Sequence, residues 1–590
     1  MSPSEVKSLM LRKASSTLTL LPAVLALIQA GCAPQIEPPR ATTSTAAGAT
    51  TPLRFADVSA SSGVDFRHES GAEGKLYIAE VLGAGVAAFD CDNDGDQDLL
   101  LRQGGAIPGG TRTSSATDRL YRNDTTAETS WRFVDVTPGS GLDRPAYGMG
   151  VATGDYDGDG IVDLYVTNFG PGRLLRGLGD CRFADRTTEA GVGDERWNTA
   201  ATFFDMDRDG DLDLYVGAYL DFHHGNHKAC FQASGAPDYC GPETYGALPP
   251  RLFRNRGDGT FEDSTVSSGM GRESGKTLGS IAADFDGDGW VDLFVANDST
   301  DNHLWRNRGD RTFEETAKIR GCALNAAGLR TGDMGVDAAD FDGDGDLDLM
   351  STHLSVEGAS LWRNDGRGGF WDSAAATGIL ASTLGLTGFG ARFFDADLDS
   401  HLDLFVANGG VRFIDRLARQ GASRTLEQPN LLLRFVDGRY QSVDQESGDE
   451  LRRAAVNRGV AVADFDNDGD PDLVVTRNDG PALLLRNLLP ATHDWLGLRL
   501  LERSGERDAL GAVARLELSD SSALVRRSYT DGSYLSASDP RLVFGLGGRM
   551  APRSLLIRWP DGSDESFAPQ ALGRYSTLRQ GDGSSAAPGG

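Results

Sequence analysis

The sequence predicts an all-β fold: a seven-bladed β-propeller followed by a small C-terminal β-sandwich-like domain. Two observations predict it. An aspartate-rich loop of one pattern occurs seven times, and each copy lies between two short apolar stretches of β-type sequence. A strand that begins with an aromatic residue follows most copies, and the strand missing after the seventh copy stands at the start of the chain. Self-similarity of this kind is the sequence signature of repeat architectures.

The loops follow the pattern Asp-x-Asp-x-Asp-Gly-x-x-Asp, whose residues we number from position 1 to position 9. Calcium prefers about six to eight hard oxygen ligands, and glycine at position 6 allows the sharp turn by which carboxylates at positions 1, 3 and 5 converge on one ion. The carbonyl of position 7 and the carboxylate of position 9 complete the shell. The predicted ligand residues are Asp90, Asp92, Asp94, Asp96 and Asp98 in loop 1; Asp155, Asp157, Asp159, Ile161 and Asp163 in loop 2; Asp205, Asp207, Asp209, Asp211 and Asp213 in loop 3; Asp284, Asp286, Asp288, Trp290 and Asp292 in loop 4; Asp340, Asp342, Asp344, Asp346 and Asp348 in loop 5; Asp395, Asp397, Asp399, His401 and Asp403 in loop 6; and Asp464, Asp466, Asp468, Asp470 and Asp472 in loop 7. We therefore expect up to seven bound Ca2+ ions.

The net charge and the sequence around the loops argue against other interpretations of the acidic repeats. Positions 1, 3, 5 and 9 of the seven loops hold 28 carboxylates, close to the formal net charge of −29. Solvated acidic turns are the plain alternative, since Asp and Gly form turns, but seven intact copies favour bound metal because crowded carboxylates repel one another without a cation. EF-hands are excluded because the flanks are short and β-rich. The negative charge also argues against nucleic acid and against docking on an anionic membrane.

The sixth loop departs from the pattern. It carries Ser400 at position 6, where a residue other than glycine is strained if its φ is positive. We expect it to be the weakest calcium site, which a metal titration of Asp397→Ala would test.

The aromatic strands indicate how the ring closes. They begin at Phe133, Phe183, Phe261, Phe313, Phe370 and Tyr440. The N-terminal stretch Phe55–Ser59 has the same character, so we expect it to complete the last blade and remove the exposed edge of an open array.

The N-terminus predicts export. Basic residues precede an apolar run from Leu18 to Ile28, which is shorter than a membrane-spanning helix requires. The stretch ending at Cys32 resembles a bacterial lipobox, so lipidation of Cys32 and simple secretion both remain open. We expect a signal peptide over 1–32, a flexible linker over 33–52, the propeller over 53–492, a β domain over 493–580 and a disordered tail over 581–590.

The remaining cysteines and two insertions are the other candidate sites. Cys230 and Cys240 share one loop, so we expect a disulfide between them. The same insertion, Asp221 to Pro250, carries His223, His224 and His227. A transition-metal site is one interpretation of these histidines, and a disulfide-pinned surface loop is the favoured one. The insertion from Gly409 to Asn430 carries Arg412, Arg416 and Arg419 and is expected to be a solvated face rather than a basic patch for an anionic partner. Trp290, Trp305 and Trp362 occupy repeat positions and are expected in the core.

The repeats resemble FG-GAP (VCBS) repeats of the integrin α-chain propeller, as in Gly459-Val460-Ala461 followed by Asp464-Phe465-Asp466. The tail, with Gly532-Ser533-Tyr534, Phe544-Gly545-Leu546-Gly547 and Trp559-Pro560-Asp561-Gly562, looks like an ASPIC/UnbV domain. The combination is similar to the cartilage acidic protein family. This resemblance implies that the calcium is structural and that ligands are met elsewhere on the ring.

The sequence leaves three functions open. The favoured one is an exported binding or adhesion module for an extracellular or envelope protein or glycan, monomeric and held at a membrane only through a possible lipid anchor. A calcium-dependent polysaccharide lyase or hydrolase is the alternative, although the sequence carries none of the common catalytic motifs. A structural partner in an envelope complex is the third.

Overall fold

The computed structural model describes residues 53–126, 131–413, 426–443, 447–490, 493–548 and 551–585. The predicted signal peptide with Cys32, the linker, Arg416, Arg419 and the end of the tail lie outside the described residues. Among the described residues, no helix is both long enough and apolar enough to cross a membrane.

Seven four-stranded antiparallel sheets form the blades of a propeller, as predicted. Their strands, in chain order, are β1 (Phe55–Asp57), which belongs to blade 7; β2 (Val86–Phe89), β3 (Asp98–Leu101), β4 (Arg119–Asn123) and β5 (Phe133–Asp135) in blade 1; β6 (Gly148–Gly154), β7 (Asp163–Asn168), β8 (Gly170–Gly177) and β9 (Phe183–Asp185) in blade 2; β10 (Asn198–Phe204), β11 (Asp213–Ala218), the inserted hairpin β12 (Cys230–Phe231) and β13 (Pro237–Asp238), β14 (Arg251–Asn255) and β15 (Phe261–Asp263) in blade 3; β16 (Thr277–Ala283), β17 (Asp292–Asn297), β18 (His303–Asn307) and β19 (Phe313–Glu315) in blade 4; β20 (Val336–Ala339), β21 (Asp348–Ser351), β22 (Ser360–Asn364) and β23 (Phe370–Asp372) in blade 5; β24 (Gly388–Phe394), β25 (Asp403–Asn408), β26 (Leu431–Val436) and β27 (Arg439–Ser442) in blade 6; and β28 (Asn457–Ala463), β29 (Asp472–Arg477) and β30 (Leu483–Asn487) in blade 7.

The α-helices are short and lie in the connections between blades, whereas two of the 3-10 turns lie in the insertion of blade 3. The α-helices are α1 (Thr187–Ala190), α2 (Ala317–Arg320), α3 (Ala374–Thr377), α4 (Ile379–Thr383) and α5 (Asp449–Arg452), and the 3-10 turns are Ile78–Val81, His224–Asn226, Pro242–Thr244 and Met270–Arg272.

The strand order within each blade explains the sequence pattern. The first strand of every blade contacts the first strands of both neighbouring blades, so these seven strands form the inner ring around the central channel. Every residue of the second strands β7, β11, β17, β25 and β29 is buried. A strand covered on both faces reads as a continuous apolar run rather than an alternating one. All seven aspartate loops join first to second strands, and therefore lie on one face of the ring, which we call the loop face.

The N-terminal strand closes the ring in the predicted way. β1 pairs antiparallel with β30, with Phe55 opposite Asn487 and Asp57 opposite Leu485. The last blade thus draws strands from both ends of the propeller sequence, and this pairing covers the edge that β30 would otherwise expose.

The C-terminal unit is built from two sheets. Its strands are β31 (Trp495–Leu501), β32 (Val513–Leu518), β33 (Ala523–Arg527), β34 (Leu542–Gly545), β35 (Pro552–Arg558), β36 (Asp564–Phe567), β37 (Tyr575–Arg579) and β38 (Ser584–Ser585). The sheets have the orders β34-β31-β37 and β33-β32-β35-β36-β38. Leu498, Leu516, Phe544, Ile557 and Trp559 belong to the single buried cluster between them.

Candidate functional site

The aspartate loops share one backbone conformation. In all seven, the position-1 carboxylate accepts a hydrogen bond from the amide of position 6, at 2.8 to 3.1 Å. Position 6 has a positive φ in every loop, between 84° at Ser400 and 97° at Gly345. Position 4 is also left-handed in every loop, a feature that the sequence pattern does not reveal because its occupants vary: Asn93, Gly158, Arg208, Gly287, Gly343, Leu398 and Asn467.

The position-9 aspartate anchors each loop to its blade. One carboxylate oxygen accepts the amide of position 2 and the other accepts an amide near the end of the third strand. In loop 2, for example, Asp163 accepts from Tyr156 at 2.9 Å and from Gly177 at 2.7 Å. In loop 7, Asp472 accepts from Phe465 at 3.1 Å and from Asn487 at 2.8 Å. This carboxylate is buried in all seven loops.

An arginine of the third strand orients the carboxylates of positions 3 and 5. Arg254 pairs with Asp207 and Asp209 at 2.7 Å each, and Arg306 pairs with Asp286 at 2.6 Å and with Asp288 at 2.7 Å. Arg176, Arg363, Arg434 and Arg486 take the same place in blades 2, 5, 6 and 7. In blades 3, 4 and 5 this arginine belongs to a repeated Leu-aromatic-Arg-Asn stretch, whereas in blades 2, 6 and 7 it follows two leucines.

In six of the seven loops, the position-3 carboxylate has an oxygen without a hydrogen-bond partner among the described residues. The buried, unpartnered Oδ1 atoms at position 3 are those of Asp92, Asp157, Asp207, Asp342, Asp397 and Asp466. In loops 1 to 4, one oxygen each from positions 1, 3 and 9 lie within 4.8 Å of one another. A buried, unpartnered carboxylate oxygen is unfavourable without a counter-ion. The donor set is all hard oxygen, so it fits a cation of the calcium type.

Electrostatics point the same way. Burial raises the pKa of the position-1 carboxyl groups Asp90, Asp155 and Asp205 to about 6. Burial likewise raises the pKa of Asp98 and Asp348 at position 9 to about 8. A cation bound between these carboxyl groups would favour their ionised form.

Loop 6 contains two strained residues. Ser400 has a φ of 84°, as the sequence led us to suspect, and Leu398 at position 4 has a φ of 55°. Leu398 is 2% exposed, and its carbonyl accepts a hydrogen bond from the amide of Gly547 in the C-terminal unit at 2.9 Å.

The asparagine of the repeated stretch joins neighbouring blades. Asn307 of blade 4 donates through Nδ2 to the carbonyl of Met206 in loop 3, and Asn364 of blade 5 donates to that of Phe285 in loop 4, both at 2.8 Å. The same bond from Asn123 to Phe465 links blade 1 to blade 7 across the closure. Asparagine side chains outside the loop pattern therefore connect neighbouring blades through their loops.

The described residues contain two disulfides. Cys230 is joined to Cys240 within the inserted hairpin. Cys91 is joined to Cys181, which ties loop 1 to the turn between β8 and β9 of blade 2. Sequence reasoning missed the second bond because the two cysteines are 90 residues apart, and Cys322 is free and buried. Disulfides persist in oxidising compartments, which indicates an extracellular or secreted protein.

The other candidate residues divide between core and surface. Trp305 and Trp362 are buried as predicted, whereas Trp290 is only half-buried. The core prediction is wrong for Trp290 because position 7 faces outward, where the Arg208 guanidinium lies 4.2 Å from its ring centroid.

The inserted histidines pack locally. The rings of His224 and His227 lie 5.5 and 4.6 Å from that of Tyr77, and the imidazole of His223 accepts the amide of Gly225. In the second insertion, Arg412 pairs with Glu243 at 3.1 Å.

Comparisons with known proteins agree with the predicted resemblance. A family model described as "FG-GAP-like repeat" matches residues 90–166, 155–216, 234–295 and 284–351, and one described as "ASPIC and UnbV" matches residues 502–585. Cartilage acidic protein 1 of Mus musculus is 24% identical over 81% of this chain and 61% of its own length; that of Homo sapiens is 25% identical over 81% and 60%. The chain thus spans about three fifths of the length of these relatives. A solved structure of an Agrocybe aegerita lectin that recognises terminal N-acetylglucosamine is 17% identical, covering 69% of this chain and 94% of that one, with a TM-score of 0.37.

Proposed function

Since the chain combines FG-GAP-like repeats with an ASPIC and UnbV domain, we propose that it is an exported calcium-binding propeller scaffold that binds an extracellular or envelope protein or glycan. Its loops would hold up to seven Ca2+ ions with a structural role, and Cys32 would anchor it to a membrane if the predicted lipobox is processed. The position-3 oxygens that have no partner among the described residues support the calcium part of this proposal.

The calcium part is tested by thermal unfolding after chelation and again after calcium is restored. An ion that binds only the folded state stabilises it by about 2.7 kcal/mol per site when free calcium exceeds the Kd a hundredfold. We expect a large rise in Tm with calcium and a smaller one with equal magnesium, which prefers a tighter octahedral shell. Equal rises with both ions, or none, would contradict a calcium role.

The binding part is carried by the contrast between the two faces of the ring. The C-terminal unit covers the loop face: Arg541 donates to the Gly95 carbonyl of loop 1 at 3.1 Å and Arg526 to the Ser400 carbonyl of loop 6 at 3.3 Å. At the opposite mouth of the channel lies a cavity of about 80 Å³. We therefore propose the opposite mouth as the ligand-binding surface.

The cavity has the composition of a ligand site. Its walls are largely apolar, and a few polar groups converge on it, which is the usual character of such sites. Asp298 is 8% exposed and accepts the Tyr219 hydroxyl at 2.6 Å. The exposed pair of Glu243 and Arg412 lies at the rim.

A binding experiment tests this surface. The chain is titrated with a panel of extracellular glycans and envelope proteins, and we expect saturable binding without turnover. Glu243→Gln and Arg412→Ala, both on exposed side chains that spare the fold, should weaken binding about tenfold or more, as loss of a charged contact does. Asp258→Asn serves as a control because Asp258 is an exposed carboxylate of the β14–β15 turn. Binding that survives both mouth variants would overturn the assignment, and loss of polymer viscosity would favour the lyase or hydrolase instead.

A further inference from the structure

The C-terminal unit makes its contacts with the part of each loop whose shape a cation would set. Besides the bonds of Arg541 and Arg526 to position-6 carbonyls, Arg507 donates to the position-6 carbonyl of Gly210 in loop 3. A position-6 carbonyl points in a defined direction only while its residue keeps the left-handed turn around the site. The unit therefore recognises the folded form of the loops.

In loop 7, the C-terminal unit contacts one of the predicted calcium-ligand residues directly. The hydroxyl of Tyr575 donates to the position-1 carboxylate of Asp464 at 2.9 Å, and Arg541 donates to the Asp464 carbonyl at 3.0 Å. The indole of Trp495 lies over Gly469 so closely that a Cβ there would overlap the ring. Both Tyr575 and Trp495 are on the sheet β34-β31-β37, so one sheet of the unit faces this loop.

A segment of the same unit fills the central channel. Residues 528–541, between β33 and β34, run inward along the first strands of the blades and return. Val336 and Ser533 exchange backbone hydrogen bonds at 3.0 and 2.6 Å, and Ala537 donates to the Val86 carbonyl at 2.9 Å. At the deepest point the Tyr534 hydroxyl donates to the Leu82 carbonyl at 3.1 Å.

Glycines of the inner ring make room for this plug. A Cβ at Gly85 would overlap the carbonyl oxygen of Leu535, which lies on the plug. Gly85 is the glycine of the Gly-Val-Ala stretch that precedes loop 1. The absence of a side chain at Gly85, directly before β2, therefore allows the C-terminal unit to pack closely against the propeller.

We propose that cation binding in the loops and docking of the C-terminal unit are thermodynamically linked, so that the unit is a calcium-dependent plug of the propeller channel. This inference rests on the calcium part of the proposed function. Four ligand carboxylates and one divalent ion leave a loop at −2, so the arginines of the unit remain attracted to an occupied loop. An empty loop lets its carboxylates repel, and the carbonyls that the unit recognises lose their order.

The first test follows the plug by hydrogen exchange in the full chain. We expect amides of residues 530–538 to exchange at least about tenfold faster after chelation and to recover on return of calcium. The amides of β7 and β11, which lie in blades, serve as internal controls for global unfolding. Equal protection of the plug with and without calcium would overturn the proposal.

The second test uses the reciprocity of linkage: a contact that depends on calcium must in turn strengthen calcium binding by the same factor. Tyr575→Phe and Arg541→Ala should each weaken the calcium affinity of the full chain by about fivefold or more at the affected sites. Arg553→Ala is the matched control, because Arg553 is exposed on β35 of the same unit. Calcium affinities equal to that of the unaltered chain in Tyr575→Phe and Arg541→Ala would overturn the linkage alone, whereas an unaltered chain that binds no calcium would overturn the proposed function with it.

Discussion

Replacing Ser400 of loop 6 with glycine should stabilise the protein, and replacing Gly345 of loop 5 with serine should destabilise it. Both residues occupy position 6, with φ values of 84° and 97°. The side chain of Ser400 is thus held where L-residues are strained. A Cβ at Gly345 would meet nothing nearer than the Arg515 guanidinium at 3.7 Å, an ordinary contact. The exchange therefore isolates the backbone effect from any clash.

The expected magnitude follows from two opposing contributions. The left-handed region costs an L-residue roughly 1–2 kcal/mol, whereas glycine loses about 0.4–1 kcal/mol more than other residues to unfolded-chain entropy. Ser400→Gly should therefore gain about 0.5–1 kcal/mol, and Gly345→Ser should lose a similar amount. Leu398 is no equivalent target, because its buried side chain would be lost with the strain.

The assay is denaturant or calorimetric unfolding of both variants in saturating calcium, with calcium affinity measured alongside. Opposite signs for the two exchanges would support the reasoning. If Ser400→Gly is neutral or destabilising while Gly345→Ser is tolerated, position 6 does not need a glycine, and the prediction of a weak sixth site loses its basis.

Three further predictions concern other parts of the molecule. Burial lowers the pKa of His68 from 6.5 to about 4. Between these two pH values the unfolded chain binds a proton at His68 and the folded chain does not. The contribution of the neutral His68 to the free energy of unfolding is therefore complete above pH 6.5 and is lost as the pH falls toward 4. His68→Gln should flatten this decline, by on the order of 3 kcal/mol at pH 4, as seen in Tm against pH; an unchanged slope would contradict it. Joint replacement of Cys91 and Cys181 by serine should cost about 2–4 kcal/mol, and unfolding that is insensitive to the change would show that the sheets alone hold blades 1 and 2 together. Asp157→Asn should reduce the number of tightly bound calcium ions by one in equilibrium dialysis, because it weakens the ligand whose Oδ1 has no partner among the described residues; an undiminished count would remove position 3 from the ligand set.

Much of this architecture was predictable because it is encoded locally and repeated. The aspartate spacing predicts a tight turn around a cation, and its recurrence in seven copies distinguishes it from a chance match. Ring closure by Phe55–Asp57 could also be predicted, since a repeat array with one strand missing at its end and one spare at its start has an obvious solution. Burial of Trp305 and Trp362 follows from their repeat positions.

Other features depend on residues that are distant in sequence. The bond between Cys91 and Cys181 needs two adjacent blades, and the Asn123 bridge to Phe465 needs the closed ring. The position of Trp290 was mispredicted because a repeat position does not state which side of the loop faces solvent.

By itself, the sequence determined the propeller, its closure and the carboxylate sets of the loops, because each of these follows from a short sequence pattern that recurs along the chain. Only the tertiary structure decided that the C-terminal unit covers the loop face and fills the channel through Tyr534. That arrangement depends on carbonyl directions, left-handed turns and the space left by Gly85. Such properties arise when separate segments meet in space, and no spacing along the chain records them.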